Sequence, residues 1–217
     1  MPLTIHYVSV FNEEDTLIPQ SDLIDSEYVQ SKCPVHNHKQ SRTFVAISPI
    51  DFNLSINRTP NQNFISCSRP ELLEYDDEHI NSPKPVIQLV FPKFLFYTEE
   101  DNIWFEFYDH PMTALKNNFI SISGWFNLSN WSRMSSTAIT LVNEKKSVII
   151  EKGDPLFRVS FYPPNLDEGI VLKKENNREV VRQWVDAHSK ISEQDWRPRL
   201  FSKTETESKC PFSFLFK

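Results

Sequence analysis

The sequence predicts a mainly β protein, built as an antiparallel sandwich or a β-clip-like barrel with one C-terminal helix. Short runs in which apolar and polar residues alternate recur about every ten residues, and turn residues separate them. Fifteen prolines are spread over the 217 residues, and proline interrupts long helices. We therefore predict a β-rich domain over residues 1–165, with its core at about 40–165, and a C-terminal part over residues 166–217 packed on it.

The first third of the chain has the less regular pattern. Residues 3–11 alternate and include β-branched side chains, which predicts a first strand. Residues 12–31 are polar and acidic, so we predict a loop there. Residues 43–56 predict two strand segments separated by a proline. Residues 58–85 are rich in Pro, Asn and acidic side chains and contain a short apolar island at residues 64–67.

The middle of the chain has the clearest strand pattern. Residues 86–97 and 103–108 predict two strands joined by an acidic turn. In the second strand the apolar side chains at 103, 105 and 107 should face the core, because neighbouring residues of a strand point to opposite faces. Further strands are predicted at residues 119–126, 138–143, 147–154 and 156–162.

The C-terminal part predicts one helix and one aromatic tail. Val180, Val181, Trp184, Val185 and His188 recur at helical spacing, and an Asn that could cap a helix precedes them. The chain then ends in an alternating apolar segment, which we expect to dock on its own domain or on a partner. The aromatic residues of this tail are Phe212, Phe214 and Phe216.

Composition and charge exclude several functional classes. The formal net charge is -6 and no polybasic run is present, which excludes generic nucleic-acid binding. The three glycines, Gly124, Gly153 and Gly169, are too far apart for a phosphate-binding loop. No apolar run reaches the length of a membrane span, and the first residues do not form a secretion signal. We therefore expect no membrane association and a location in a host cytoplasm or a virion.

Residues 119–162 resemble the late part of the β-clip fold of deoxyuridine triphosphatases and deoxycytidine triphosphate deaminases. The segment Gly124–Asn127 stands where those enzymes have Gly-x-Ile-Asp. Residues 139–143 resemble the strand that follows, residues 148–154 the next turn, and residues 156–161 the strand that closes the fold. The resemblance implies a β-clip fold.

The same resemblance argues against the activity of that family. Asn127 stands at the position of the family's Asp, and an amide cannot act as a carboxylate base. The Ser-rich, Arg-bearing phosphate motif expected upstream is also missing. The aromatic-rich, Gly-poor composition of the whole chain is similar to that of proteins from large tailed phages of marine bacteria, which implies a viral origin.

A metal site is one interpretation of the cysteines and histidines. The tetrapeptide Ser-Lys-Cys-Pro occurs twice, and its first copy leads into two histidines. Cys33, His36 and His38, with Cys210 or Cys67 as a fourth ligand, would suit the tetrahedral coordination of zinc. The alternative is a loop in which reduced cysteines lie beside exposed histidines, with no cofactor.

Other candidate residues each have a functional and a structural interpretation. Asp109 and His110 could form an acid–base pair, or could shape the turn that precedes Pro111. Trp125 and Trp131, with Arg133, could form an interface, because Trp and Arg are the usual anchors of protein interfaces. Trp125 could equally belong to the core. The acidic clusters at residues 71–78 and 99–101 predict solvated loops.

Three functional hypotheses follow from these patterns. The first is a non-catalytic viral protein that acts by protein–protein interaction, self-association or assembly, with Trp125, Asn127 and the aromatic tail as binding residues. The second is a deoxynucleotide-handling enzyme of the deoxyuridine triphosphatase or deoxycytidine triphosphate deaminase type. The third is a small metal-binding protein that uses Cys33, His36 and His38.

Overall fold

The predicted mainly β class is confirmed. The computed structural model describes residues 2–9, 16–19, 38–60, 63–74, 81–89, 91–128, 135 and 137–176, together with residues 179 and 183. Within these ranges the strands form four open sheets and no closed barrel. In chain order the strands are β1 Leu3–Ser9, β2 Leu17–Pro19, β3 Thr43–Ile47, β4 Phe52–Arg58, β5 Asn63–Cys67, β6 Leu73–Glu74, β7 Ile87–Leu89, β8 Phe94–Tyr97, β9 Trp104–Tyr108, β10 Phe119–Ser121, β11 Gly124–Asn127, β12 Ala138–Leu141, β13 Val148–Ile150, β14 Pro155–Tyr162 and β15 Ile170–Lys174.

The largest sheet has five strands in the order β11-β9-β14-β3-β2, and every neighbouring pair is antiparallel. Its central strands bury one face, because Phe105 and Phe107 of β9 and Val159 and Phe161 of β14 are buried. Trp104 of β9 is partly exposed on the opposite face. The alternation predicted for residues 103–108 is therefore confirmed.

The other three sheets are smaller. The strand orders are β15-β1-β8, β10-β12-β7-β6 and β13-β4-β5. All the neighbouring pairs are antiparallel except β1 and β15, which run parallel from Leu3↔Ile170 to Tyr7↔Lys174. This parallel pair joins two strands that lie far apart in the sequence.

Phenylalanine rings join the sheets into one core. The ring of Phe96 on β8 lies 5.5 Å from Phe105 and 5.2 Å from Phe161, measured between ring centroids. Phe94, also on β8, lies 6.2 Å from Phe157 on β14. The sheet that contains β8 therefore packs on the inner face of the five-stranded sheet, as in a sandwich. Ring pairs at these distances add to the free energy gained by burying the rings.

Several strands differ from the sequence prediction. β2 lies inside the segment predicted as a loop. β5 covers the apolar island of residues 64–67, and β6 follows it within residues 58–85, where no strand was predicted. The single predicted strand of residues 86–97 is two strands in different sheets, β7 and β8, and the cis peptide bond Phe91–Pro92 lies between them. The predicted strand of residues 119–126 is likewise divided into β10 and β11. Alternation along a chain shows which residues are buried, but it does not show where the chain changes sheet.

The β-rich part extends beyond residue 165, because β15 pairs with β1. A short helix, α1, spans Pro111–Leu115. Glu179 and Gln183 are helical, and Gln183 Nε2 donates to Glu179 Oε1 over 3.2 Å. The other residues of the predicted C-terminal helix and the aromatic tail lie outside the described residues. Among the described helices, none has the length and apolar character needed to span a membrane.

Candidate functional site

The outer face of the five-stranded sheet carries four large aromatic side chains, which we call the aromatic face: Trp104, Tyr108, Trp125 and Tyr162. Trp125 is 52% exposed and is stacked against Trp104, with ring centroids 6.1 Å apart. Trp125 also lies against Tyr162, at 4.6 Å. The strand register brings these residues together, since Trp125 pairs with Glu106, and Trp104 pairs with Tyr162. An exposed tryptophan is therefore held between two other rings.

Hydrogen bonds fix the tyrosines of this face. Tyr162 donates from its hydroxyl to Glu106 Oε2 over 2.7 Å. Burial, together with this bond to a carboxylate, raises the pKa of Tyr162 well above its usual range, so its hydroxyl stays protonated. The hydroxyl groups of Tyr108 and Ser160 lie 2.8 Å apart, and those of Ser160 and Thr43 lie 2.7 Å apart. The exposed rings therefore lie on a hydrogen-bonded base.

Three cationic side chains lie along the same face. Lys39 Nζ is 4.9 Å from the centroid of the Tyr108 ring, and Arg158 Cζ is 4.4 Å from the same centroid. Arg42 Cζ is 6.0 Å from the centroid of Tyr162. Such distances allow an electrostatic attraction between a cation and an aromatic face. Positive charge therefore lies at both tyrosines of the aromatic face, on a chain whose formal net charge is -6.

Arg42 is unusual because it is buried, at 5% exposure, and incompletely paired. Its Nε donates to the backbone oxygen of His38 over 3.3 Å, and its Nη2 lies 3.4 Å from His38 Nδ1. Its Nη1 is buried and has no hydrogen-bond partner. Among the described residues no carboxylate lies within ion-pair distance of Arg42. A buried donor of a charged group that lacks a partner costs folding free energy.

Gly124 begins β11 and approaches Phe126 closely. A Cβ atom at this position would lie 2.6 Å from Cε2 and 2.7 Å from Cζ of the Phe126 ring. That ring is itself packed on Phe105, with centroids 5.1 Å apart. Glycine is therefore required by the close packing of β11.

We expect the Gly124→Ala substitution to lower the free energy of unfolding by about 1–3 kcal/mol, because the Phe126 ring must move out of its packed position. Chemical denaturation followed by circular dichroism would measure the change. Gly153→Ala is the comparison variant. Gly153 has a positive φ of 90° and no atom within 4 Å of an added Cβ, so a loss of stability there comes from backbone strain and not from a steric clash. A Gly124→Ala protein as stable as the wild type would contradict the close packing of this strand.

The structural interpretation fits Asp109 and His110 better than an acid–base pair. His110 Nδ1 accepts from the backbone N–H of Met112 over 3.3 Å, so its side chain caps the start of α1. Burial and the nearby Arg158 lower the pKa of His110 to about 4, so the ring is neutral at pH 7. Burial also raises the pKa of Asp109 above its usual value. A neutral histidine acts as a base through its unprotonated ring nitrogen. In His110 this nitrogen is Nδ1, which already accepts the hydrogen bond of the cap.

The turn predicted within residues 147–154 is held by a buried carboxylate. Asp154 Oδ1 accepts from Lys116 Nζ over 2.7 Å, and its Oδ2 accepts from Asn117 Nδ2 over 2.8 Å. The backbone N–H of Glu151 donates to the same Oδ2 over 3.1 Å. Asn117 is buried and also donates to the backbone oxygen of Ile149. This network ties the residues after α1 to the turn between β13 and β14.

Of the binding residues predicted from the sequence, Trp125 and Asn127 lie together on β11. Trp125 belongs to the exposed surface and not to the core, whereas Asn127 is half-buried and pairs with Trp104 in the sheet. The other predicted binding residues lie outside the described residues: Trp131, Arg133, Phe212, Phe214 and Phe216.

The predicted metal ligands are only partly covered by the structure. His38 is exposed, and its Nε2 lies 3.8 Å from Asp167 Oδ1. Cys67 is half-buried on β5, in a different sheet from the aromatic face. Cys33, His36 and Cys210 lie outside the described residues, so the zinc site stays a prediction. Within the described ranges, no group of three or more His, Cys, Asp or Glu residues could hold a metal ion.

The acidic segments predicted as solvated loops are exposed where the structure describes them. Glu99, Glu100 and Asp101 are exposed between β8 and β9, as are Glu71 and Glu74 near β6. Solvent exposure is what an ordinary charged loop requires. These residues therefore add no candidate site.

Two residues of this surface could not be found from the sequence: Tyr162 of the aromatic face, and Arg42 beside it. Tyr162 and Arg42 are far from Trp125 in the sequence, and only the register of β14 with β9 and β3 brings them near it. The one available signal is the alternation in residues 103–108, which places Trp104, Glu106 and Tyr108 on the face away from the core. That alternation predicts which residues of β9 lie on the outer face, but it does not predict that β11 and β14 are the neighbouring strands.

Comparisons with known proteins give a likeness of fold only. No family model and no curated protein matches the chain. Among solved structures, the EIAV dUTPase has a TM-score of 0.39 at 8% identity over 74% of this chain and 91% of its own. The dUTPase from phage phi11 of S. aureus has a TM-score of 0.35 at 9% identity, over 74% of this chain and 97% of its own. A Staphylococcus bacteriophage 80alpha dUTPase has a TM-score of 0.34 at 10% identity, over 69% of this chain and 83% of its own.

These solved structures are dUTPases, the family that residues 119–162 resemble in sequence, and their TM-scores to this chain are below 0.4. TM-scores and identities as low as these support no conclusion about activity, because one fold hosts many functions. The suggested origin in a phage of marine bacteria stays a prediction.

Proposed function

We propose that the protein is a non-catalytic binding protein that recognises a protein partner through the aromatic face. The observation that supports this most directly is the position of Trp125, half exposed yet stacked on Trp104 and in contact with Tyr162. A rigid exposed tryptophan loses little conformational entropy on binding, and tryptophan is the residue most often found at the energetic centre of interfaces.

The surroundings of Trp125 support the same proposal. Tyr162 is fixed by its bond to Glu106, so the ring beneath Trp125 is already in place before a partner arrives. Pre-organisation of this kind lowers the cost of association. His110, one half of the candidate acid–base pair, caps the start of α1 instead. The binding function is therefore better supported than a catalytic one.

Selection from a random-peptide library displayed on yeast would test this function. We expect wild-type protein to select peptides whose binding falls about tenfold or more in the Trp125→Ala variant, the loss typical of an interface anchor. Ile149→Ala is the matched control, because Ile149 is 61% exposed but lies on β13 in another sheet. Absence of any Trp125-dependent peptide, or an equal loss in both variants, would refute the proposed function.

A further inference from the structure

The Arg42 side chain indicates which chemical group a partner of the aromatic face would carry. It is buried, it carries a full positive charge because arginine is always protonated in proteins, and its Nη1 has no partner. Proteins seldom leave such a donor unsatisfied, because the cost is not recovered elsewhere in the fold. An incompletely paired buried arginine beside an exposed aromatic stack is explained if the missing acceptor belongs to a ligand.

We propose that the aromatic face binds an acidic peptide segment of a protein partner, with a carboxylate on Arg42 and an apolar side chain on Trp125. This inference rests on the proposed function and specifies its partner. Charge complementarity supports the choice of an acidic segment, since Lys39, Arg42 and Arg158 all lie within 6.0 Å of a tyrosine ring centroid on this face.

A carboxylate fits this site better than a doubly charged phosphate. Glu106 lies on the same face, where Tyr162 holds it, and it would repel a dianion more strongly than a single negative charge. Arg158 has its Nε occupied by the backbone oxygen of Asp109, at 2.8 Å. The Nη1 of Arg42 is a buried donor without a partner, and it suits one oxygen of a carboxylate that reaches it.

A carboxylate reaches the buried Nη1 of Arg42 only when a neighbouring side chain moves, and the imidazole of His38 is such a neighbour. Its side chain is 42% exposed, and its contact with Asp167 is 3.8 Å long, to a carboxylate that is 95% exposed. Its imidazole Nδ1 lies 3.4 Å from Arg42 Nη2, at the long end for a hydrogen bond, whereas the 3.3 Å bond from Arg42 Nε goes to the backbone oxygen of His38. The imidazole can thus turn away into solvent at little cost. The backbone oxygen of His38 keeps a second donor when Arg42 is engaged, since Ser41 Oγ donates to it over 2.9 Å.

The test uses the Trp125-dependent peptides obtained from the yeast-displayed library. We expect Asp and Glu to be enriched in these peptides, and replacement of their acidic residues by Asn and Gln to reduce binding to wild-type protein about tenfold or more, as expected for loss of a charge-assisted hydrogen bond. Changing the peptide leaves the folding of the protein untouched.

Variants of the protein give the second part of the test. Arg42→Met should lose binding to the same extent and should raise Tm, because it removes an incompletely paired buried charge. Arg58→Met is the control. Arg58 lies on β4, in a different sheet from the aromatic face, and pairs with Glu144, so this variant should keep wild-type binding. His38→Ala should bind at least as well as wild type.

The outcomes separate this inference from the proposed function. Without Trp125-dependent peptides, the proposed function fails. Trp125-dependent peptides that lack acidic enrichment, or that still bind Arg42→Met, overturn only the role of Arg42. A fall in Tm for Arg42→Met, with unchanged binding of the Asn and Gln peptides, would make Arg42 a structural residue. Displacement of the acidic peptides by inorganic phosphate at equal ionic strength would show a site for free anions and would also overturn the proposal.

Discussion

The Phe105→Ala substitution is expected to lower the free energy of unfolding by about 3–5 kcal/mol, the range measured for truncation of buried phenylalanines. Phe105 is 0% exposed, and its ring contacts those of Phe96, Phe107 and Phe126 at centroid distances of 5.5, 5.4 and 5.1 Å. Because these neighbours come from three strands, none of them alone can fill the cavity that the substitution leaves.

Urea denaturation of the purified protein would measure this loss, and Tm should fall by roughly 10 °C for a chain of this size. Phe64→Ala is the matched control, since Phe64 is 44% exposed on β5 and should change stability by less than about 0.5 kcal/mol. A loss below about 1 kcal/mol for Phe105→Ala would contradict the ring cluster that joins β8 to the five-stranded sheet.

The Asp154→Ala substitution is expected to cost about 3 kcal/mol at neutral pH, because it breaks a partly buried ion pair and removes the acceptor of two further hydrogen bonds. Lys116, Asn117 and the backbone N–H of Glu151 all donate to this carboxylate. Asp101→Ala is the control, since Asp101 is exposed between β8 and β9 and should change stability by less than about 0.5 kcal/mol.

Asp154 also makes the stability of the protein depend on pH. Burial acts to raise the pKa of Asp154, but the hydrogen bonds from Lys116, Glu151 and Asn117 outweigh it and hold the pKa below the usual value for Asp. A lowered folded-state pKa stabilises the protein above the unfolded-state value, about 3.9, and this contribution is lost as the pH falls through the folded-state pKa.

The Asp154→Asn protein tests this dependence, since Asn keeps the side-chain shape and one acceptor but has no charge. The difference in unfolding free energy between wild type and Asp154→Asn should be largest near neutral pH and should shrink as the pH falls below about 4. A difference that stays constant from pH 7 to the acid range would show that the charge of Asp154 contributes nothing to stability.

The strands that could be predicted from the sequence are those with one buried and one exposed face. Residues 52–58 and 104–108 alternate because each strand lies in a sheet with one face on the core. β15 could not be predicted in this way, because Lys173 and Lys174 give its second half a polar appearance and its partner β1 is distant in the chain. Its formation depends on long-range pairing, which local propensity does not report.

The candidate site could be predicted only in part for the same reason. Trp125 is recognisable as an anchor from its residue type alone. Arg42 gives no such signal, because an arginine next to a predicted strand usually lies in solvent. Its burial and its position near Tyr162 follow from the register between β3 and β14, which joins residues more than a hundred positions apart.

The parallel pairing of β1 with β15 has a mechanical consequence. Both strands begin at the same end of the sheet, since Leu3 is opposite Ile170 and Tyr7 is opposite Lys174. A pulling force applied between the start of β1 and the end of β15 would therefore act along the strands in opposite directions. All the hydrogen bonds between the two strands would then bear the load together in shear, and would not be unzipped one after another.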